Sequence, residues 1–303
     1  MKETPIVTVV VCTYNRSDLL YKCLESLVRQ TVSKNLYEVL VVDNNSKDNT
    51  QQAVKRFIKT YVHIRNIKTD VQGLSHARNI GWKHAKGEYI AYIDDDAIAE
   101  PDWIEQIIQF INTNPKSHVF GGPYKRFSNK PIPEWFPKNW GNLNLGHETK
   151  ILKNEWLSGS NIIFNKLIFN KYGGFNTDLG MKGDKILYGE ETELLLKLKK
   201  GGEPIYYVPA ISVKHLVADY KLNFWWLLKS DYFRGFSYSL LNANKLDLFR
   251  GLYYLIISSF MFPLCLFSSK KDPFKRKLYY GLSKIFFSLG RITGSFGHKI
   301  TIH

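Results

Sequence analysis

The first 112 residues alternate continuous apolar runs with segments whose apolar positions recur every three or four residues. Ile6 to Cys12 is a run rich in β-branched side chains that ends in Thr13-Tyr14-Asn15-Arg16. Ser17 then offers an N-cap for a helix that carries Leu20, Leu24, Leu27 and Val28 on one face. Glu38 to Val42 repeats the pattern, stops at Asp43-Asn44-Asn45-Ser46, and leads to Val54, Phe57, Ile58 and Tyr61 at helical spacing. A third run, Val62 to Ile67, precedes Gly73-Leu74-Ser75-His76-Ala77-Arg78-Asn79, which opens another helix. Tyr89 to Ile93 has no polar face and reads as a buried strand; Pro101 then opens a helix with Ile104, Ile107, Ile108 and Ile111 on its apolar side. This alternation predicts an α/β fold built on a doubly wound, mostly parallel sheet with right-handed crossovers. The polar residues that end each strand would then meet at the carboxyl edge, where open α/β sheets bind ligands.

The run Tyr89 to Ile93 stops at three consecutive carboxylates, Asp94, Asp95 and Asp96. Adjacent negative charges repel one another, and a cluster of hard oxygen ligands suits Mg²⁺ or Mn²⁺ with substrate phosphates completing the shell. An acidic turn capping the next helix is the plainer reading of the same residues. No GxGxxG or GxxxxGK[ST] loop occurs, so a phosphate group would have to be neutralised by metal and by Arg78.

Further along, Gly121-Gly122-Pro123 and the aromatic stretch around Trp135, Phe136 and Trp140 suggest a strand followed by a long irregular loop. Those rings would either stack on a sugar or lipid or pack beneath the loop. Trp156 to Phe164 ends in a strand-like run, and Gly189-Glu190-Glu191-Thr192-Glu193-Leu194 begins an acidic helix. A short strand, Ile205 to Val208, precedes His215; His76 and His84 read as helix-surface residues.

In order, VVVCTYNR, VLVVDNNSKDNT and GLSHARNIGWKHAKGEYIAYIDDDAIAEPDW resemble the family 2 glycosyltransferases, and the later GEETEL resembles that family's GED-type motif. The resemblance implies a GT-A fold, a Rossmann-like sheet that takes nucleotide-diphosphate sugars. It implies that the loop Thr13, Tyr14, Asn15 and Arg16 together with Asp43 holds the base and ribose, that Arg78 lies beside the nucleotide, and that Asp94 and Asp96 contact ribose and a metal-bound diphosphate. Asp95 joins the donor site with less definite a role, and His215 is expected beside the metal. In inverting members an acid at the GEE position is the catalytic base; Glu191 is the expected one and Glu190 its close competitor. Glu stands here where Asp is more usual.

Charge changes the picture at the end of the chain. From Lys214 onward there are 14 Lys/Arg against 4 Asp/Glu, within a formal net charge of +15. Leu252 to Phe267 carries no charge, is interrupted by Pro263, and is followed by Lys270, Lys271, Lys275, Arg276 and Lys277. An apolar segment beside cations fits a re-entrant or interfacial membrane helix better than a nucleic-acid surface, and Leu278 to Leu289 offers a second amphipathic helix. Phe224 to Leu228 and Arg234 to Ser237 resemble the helical region that follows the catalytic domain in many family members. Cys12, Cys23 and Cys265 show neither metal spacing nor a disulfide framework, which favours a reducing compartment; the N-terminal apolar run reads as a strand rather than a signal peptide.

The expectation is therefore a GT-A domain over 1–215, with a nucleotide-sugar half (1–112) and an acceptor and base half (113–215), followed by a basic, aromatic helical region for membrane association (216–303). It would use Mn²⁺ or Mg²⁺ to transfer sugar to a glycan or lipid-linked acceptor at the cytoplasmic membrane face, with inversion, in bacterial surface polysaccharide, lipopolysaccharide or capsule assembly. The rivals are transfer directly onto polyprenyl phosphate, a nucleotidyltransferase, and a basic nucleic-acid-binding protein.

Overall fold

The structure is a computed structural model that describes residues 4–183, 185–242, 245–267 and 272–296. The N-terminal three residues and the expected cations Lys270 and Lys271 lie outside them. Two compact units are present: Met1–Phe127, Gly141–Thr177 and Glu190–Leu216 form the first, and Ser128–Trp140, Asp178–Gly189 and Val217–His303 the second. The second unit thus draws in 128–140 and 178–189, segments that the linear division at residue 215 assigned to the first.

The first unit opens as the apolar runs predict: β1 (Val7–Thr13), α1 (Ser17–Val28), β2 (Tyr37–Asp43), α2 (Thr50–Thr60), β3 (Ile64–Lys68), α3 (Leu74–His84) and β4 (Tyr89–Ile93). It continues through β5 (Ala97–Ala99), α4 (Trp103–Thr113), β6 (Val119–Gly121), β7 (Tyr124–Phe127), β8 (Lys150–Ile151), β9 (Asn161–Asn165), α5 (Lys166–Tyr172), α6 (Glu190–Lys200), β10 (Ile205–Tyr207) and β11 (Val213–Leu216). Two starts differ in detail from the sequence reading. The N–H of Ser17 is accepted by Asp48 Oδ2 at 3.1 Å, so the carboxylate rather than the serine hydroxyl serves that helix end. Pro101 precedes the helix by two residues instead of opening it.

The main sheet runs β3-β2-β1-β4-β9-β6-β10-β8. β1, β2, β3 and β4 are parallel, while β9 is antiparallel to both β4 and β6. Alternation in the buried strands sorts side chains onto two faces. Val7, Val9, Val11, Val39, Val41, Tyr89, Ala91 and Ile93 join the core with Leu20, Leu24, Val54, Phe57 and Trp103. Val10, Leu40, Val42, Ile90 and Tyr92 join the other, with Ala77, Phe169, Leu194 and Leu198. Helices therefore cover both faces of the sheet, and its carboxyl edge is left to loops. A second sheet, β5-β11-β7, carries the strand that brings in His215.

Between these sheets the chain is pinned by one buried asparagine. Asn161 donates Nδ2 to the carbonyls of Pro123 (2.9 Å) and Ile211 (2.7 Å), and its Oδ1 accepts from Trp103 Nε1 at 3.0 Å. Gly122 lies where the backbones close up: a Cβ there would overlap the carbonyl oxygen of Ile211 and fall 2.7 Å from that of Val208.

The second unit holds a 3₁₀ turn (Asp219–Leu222), α7 (Phe224–Asn242), α8 (Lys245–Phe267) and α9 (Phe274–Ser295). Phe136, Val217, Phe224, Leu227, Leu228 and Tyr279 form its core, so Phe136 packs instead of presenting a platform. Trp140 meets Trp226 edge-on. The apolar run that Pro263 was expected to interrupt lies within one continuous helix; Leu246–Leu266 is long and apolar enough to cross a membrane by length and composition. Asp247 and Arg291 form a buried ion pair between α8 and α9.

Gly122→Ala would introduce a backbone clash with no helix-propensity gain to offset it, and should destabilise the protein by about 1–3 kcal/mol, read as a lower midpoint in urea with an unchanged slope.

Candidate active site

Parallel pairing sets the first half of the site. Thr13 is in register with Asp43 at the ends of β1 and β2, and β4 ends beside them at Ile93, one residue before Asp94. The two loops leaving β1 and β2 are tied to each other. Asn15 donates its backbone N–H to Ser46 Oγ at 3.0 Å, and its Oδ1 accepts from the Lys47 N–H at 2.7 Å. Asn15 and Asn45 both adopt positive φ, 52° and 68°, a left-handed geometry that asparagine tolerates better than most residues. Asp43 is fully buried; its Oδ1 accepts from the Ser46 N–H at 2.9 Å, while its Oδ2 has no hydrogen-bond partner among the described residues. The turn-forming and ligand-binding readings of Asp43 therefore use different oxygens.

The three aspartates separate by direction. Asp95 turns toward the β1 loop, where its Oδ2 accepts from Thr13 Oγ1 at 2.7 Å and its Oδ1 from Arg16 Nη1 at 3.1 Å. Burial pushes its carboxyl up to about 6; the Arg16 charge opposes this and the Asp96 charge adds to it. Asp94 and Asp96 meet His215, whose Nε2 lies 3.3 Å from Asp94 Oδ2 and 3.2 Å from Asp96 Oδ1. Antiparallel pairing of β11 with β5 aligns His215 with Ala97, and the Leu216 N–H bonds to the Asp96 carbonyl at 3.0 Å. The ligand atoms of Asp94, Asp96 and His215 all lie within 4.8 Å of one another. Two carboxylate oxygens and an imidazole nitrogen suit Mn²⁺ well and Mg²⁺ less well, so the residues fit a divalent cation.

Arg78 links this cluster to the acids at the start of α6. It is 4% exposed, although α3 is otherwise a mixed polar helix. Its Nη1 donates to Glu190 Oε1 at 2.6 Å and lies 3.9 Å from Glu191 Oε2, and its Nη2 reaches Asp94 Oδ1 at 3.5 Å. Burial works against its charge, but Glu190, Asp94 and Glu191 outweigh burial and keep it ionised. Burial and the Glu191 charge push the Glu190 carboxyl up to about 8, with Arg78 opposing. Glu191 Oε2 is buried without a hydrogen-bond partner among the described residues. The two adjacent glutamates thus differ: one is occupied by the arginine, and the other keeps an acceptor oxygen unused.

Two contacts around Arg78 escaped the sequence reading. Gly159 packs against the guanidinium so closely that a Cβ would collide with it, and the Phe175 ring lies 5.5 Å from its Cζ. The small-residue segment Leu157-Ser158-Gly159-Ser160 and Gly173-Gly174-Phe175 were the available signals. Tyr14 and Arg16 stand at the same loop as expected; His84 is exposed, whereas His76 is half-buried with Nε2 3.2 Å from Thr69 Oγ1.

A profile described as glycosyl transferase family 2 matches residues 8–173, more than half of the chain. The chain belongs to that family. This family 2 glycosyltransferase is 31% identical over 242 residues to the glucosyl-dolichyl phosphate glucuronosyltransferase of Haloferax volcanii, covering 76% of this chain and 75% of that protein. Its fold resembles S. aureus TarS 1–349 in complex with UDP-GlcNAc, with a TM-score of 0.55 and 22% identity over 69% of this chain and 58% of that one. It also resembles the mannosyltransferase PcManGT of Pyrobaculum calidifontis in complex with GDP-Man and Mn²⁺, with a TM-score of 0.56 and 18% identity over 96% of this chain and 74% of that one. The fold is GT-A with a helical C-terminal region, and the protein is a glycosyltransferase.

If Asp94, Asp96 and His215 hold a cation, Mn²⁺ should stabilise the folded protein by about 2.7 kcal/mol at a hundred times its Kd. Asp96→Asn should lose most of that increment relative to its own metal-free melting temperature, and His215→Gln part of it.

Proposed function

We propose that this enzyme transfers a sugar, with inversion, from a nucleotide-diphosphate donor to a lipid-linked glycan acceptor at the cytoplasmic membrane surface, in the assembly of a surface glycan. One observation carries the reading: a single guanidinium, Arg78, reaches Asp94 of the aspartate–histidine cluster with one nitrogen and the Glu190–Glu191 pair with the other.

The Thr13 to Arg16 loop and the unsatisfied Oδ2 of Asp43 would take the base and ribose. Asp94, Asp96 and His215 would hold Mn²⁺ or Mg²⁺, which supplies charge neutralisation to the leaving diphosphate. Asp95 supports this arrangement indirectly, by fixing Thr13 and Arg16. Glu191 takes the proton from the acceptor hydroxyl as that oxygen bonds to the anomeric carbon, while the diphosphate departs from the opposite face. Glu190 accepts the 2.6 Å hydrogen bond from Arg78 and positions it. An acceptor on a lipid carrier fits the Haloferax relative, a glucosyl-dolichyl phosphate glucuronosyltransferase. It also fits α8, on which Ile256 is 70% and Phe260 78% exposed.

Glu191→Gln should lower kcat by about 10²- to 10⁴-fold while the nucleotide sugar binds as in the wild type, and the product should carry the anomeric configuration opposite to the donor. Undiminished transfer by a Glu190→Gln/Glu191→Gln double variant would rule the base out. In a separate experiment, wild-type protein should co-sediment with lipid vesicles even at high salt, and Ile256→Glu/Phe260→Glu should release it; release of the wild type by salt alone would reject an apolar anchor.

A further inference from the structure

The second unit contains an aromatic groove that the transfer chemistry does not use. Its volume is about 560 Å³, and its lining includes Trp135, Phe224, Trp225, Phe274, Lys275 and Leu278. The floor is firmly built: Phe224 belongs to the core with Phe136, Leu227 and Tyr279, and Trp135 and Leu278 pack against that core. The rim is the opposite, with Trp225 69% and Phe274 65% exposed. Lys275 Nζ stands 4.5 Å from the Trp135 ring centroid and 5.7 Å from that of Phe224. Among the described residues Lys275 forms no ion pair, and the nearby carboxylate in sequence, Asp272, is taken by Lys138 at 2.9 Å and by Arg276 at 2.6 Å.

Exposed aromatic rings around a cation that has no counter-ion among the described residues have the pattern of an unfilled site. The volume lies within the range of small-molecule sites, about 300–1,000 Å³. The occupant must be apolar along most of its length and anionic at one end. Nucleic acid would require several cations tracking its phosphates, whereas this lining contributes one.

We propose that the groove holds the carrier part of the acceptor: an isoprenoid chain lies along Phe224, Trp225 and Phe274, and its phosphate rests on Lys275. This inference depends on the lipid-linked reading of the acceptor above and assigns the surface that grips the lipid. The groove's volume, with room for a single chain, favours an isoprenoid phosphate over a two-chained phospholipid.

The test uses the full chain and farnesyl phosphate below its micelle-forming concentration, followed by quenching of tryptophan fluorescence. Farnesyl phosphate should bind saturably, with farnesol and inorganic phosphate each at least tenfold weaker. Lys275→Ala should reduce its affinity to the farnesol level, and Trp225→Ala should weaken it at least fivefold; both side chains are exposed, so unchanged thermal melts should accompany the losses. Affinity within twofold of wild type in Lys275→Ala would overturn the assignment. Displacement of farnesyl phosphate by phosphatidylglycerol vesicles, with equal dependence on Lys275, would overturn it in favour of a membrane-surface contact. The two readings fail separately. Transfer only to water-soluble glycans, with Lys275-dependent farnesyl phosphate binding intact, would remove the lipid-linked acceptor and leave the groove as an isoprenoid phosphate site. Transfer to lipid-linked acceptors with Lys275-independent binding would reject the groove alone.

Discussion

A guanidinium cannot be buried without charged partners, and the partners of Arg78 come from two distant parts of the chain, Asp94 on one side and Glu190 and Glu191 on the other. Leaving it unpaired would cost several kcal/mol, so Asp94, Glu190 and Glu191 are held at its nitrogens. The surroundings answer to the same need. Gly159 leaves the space in which the guanidinium lies, Phe175 covers its Cζ, and the Arg78 carbonyl accepts from Tyr92 Oη at 3.0 Å, which ties the helix to β4. Glu190 and Glu191 are two close carboxyls in a poorly hydrated place, and even beside the arginine, burial and the Glu191 charge incline Glu190 to hold its proton. The two chemically identical neighbours are told apart by hydrogen bonding: Glu190 accepts from Arg78, and Glu191 Oε2 has no hydrogen-bond partner among the described residues.

The aspartate cluster depends on a different constraint, the junction of two sheets. β4 belongs to the main sheet and ends at Ile93; β5 starts four residues later in the small sheet, paired with β11. Asp94, Asp95 and Asp96 occupy the link, where the backbone leaves one ladder for the other. Successive side chains can then face different ways, which is why Asp95 serves the β1 loop alone, Asp94 meets His215, and Asp96 reaches both His215 and Arg16.

Much of this was legible from local pattern. Strands with no polar face announced themselves, and their terminal residues Thr13, Asp43 and Asp94 had to share an edge once the strands were parallel. The limits were equally physical. Nothing in Lys214-His215-Leu216 says that β11 will pair with β5, because the partner is more than a hundred residues away; His215 was anticipated from family resemblance alone. Likewise Arg78 sits among polar residues on a helix that reads as half-exposed, and its burial follows only from the packing of Gly159 and Phe175. The insertion of β9, antiparallel, between β4 and β6 leaves no trace in periodicity, since a fully buried strand looks the same in either direction. In the helical region, the length of α8 was underestimated because charged residues such as Asp247 and Arg250 precede the apolar run, yet extend the same helix.

The interleaving of the two units has a consequence for how the protein can be divided. The backbone passes between them at 127/128, 140/141, 177/178, 189/190 and 216/217. A chain cut after Leu216 would keep 128–140 and 178–189 but deprive Phe136 of Phe224, Leu227, Leu228 and Tyr279, its companions in the core. It would also remove the partners of Tyr188, which bonds to Ser230 and Ser237 within the second unit. The protein's covalent order and its folding units disagree: 128–140 and 178–189 precede Leu216 in the chain yet fold with the C-terminal helices.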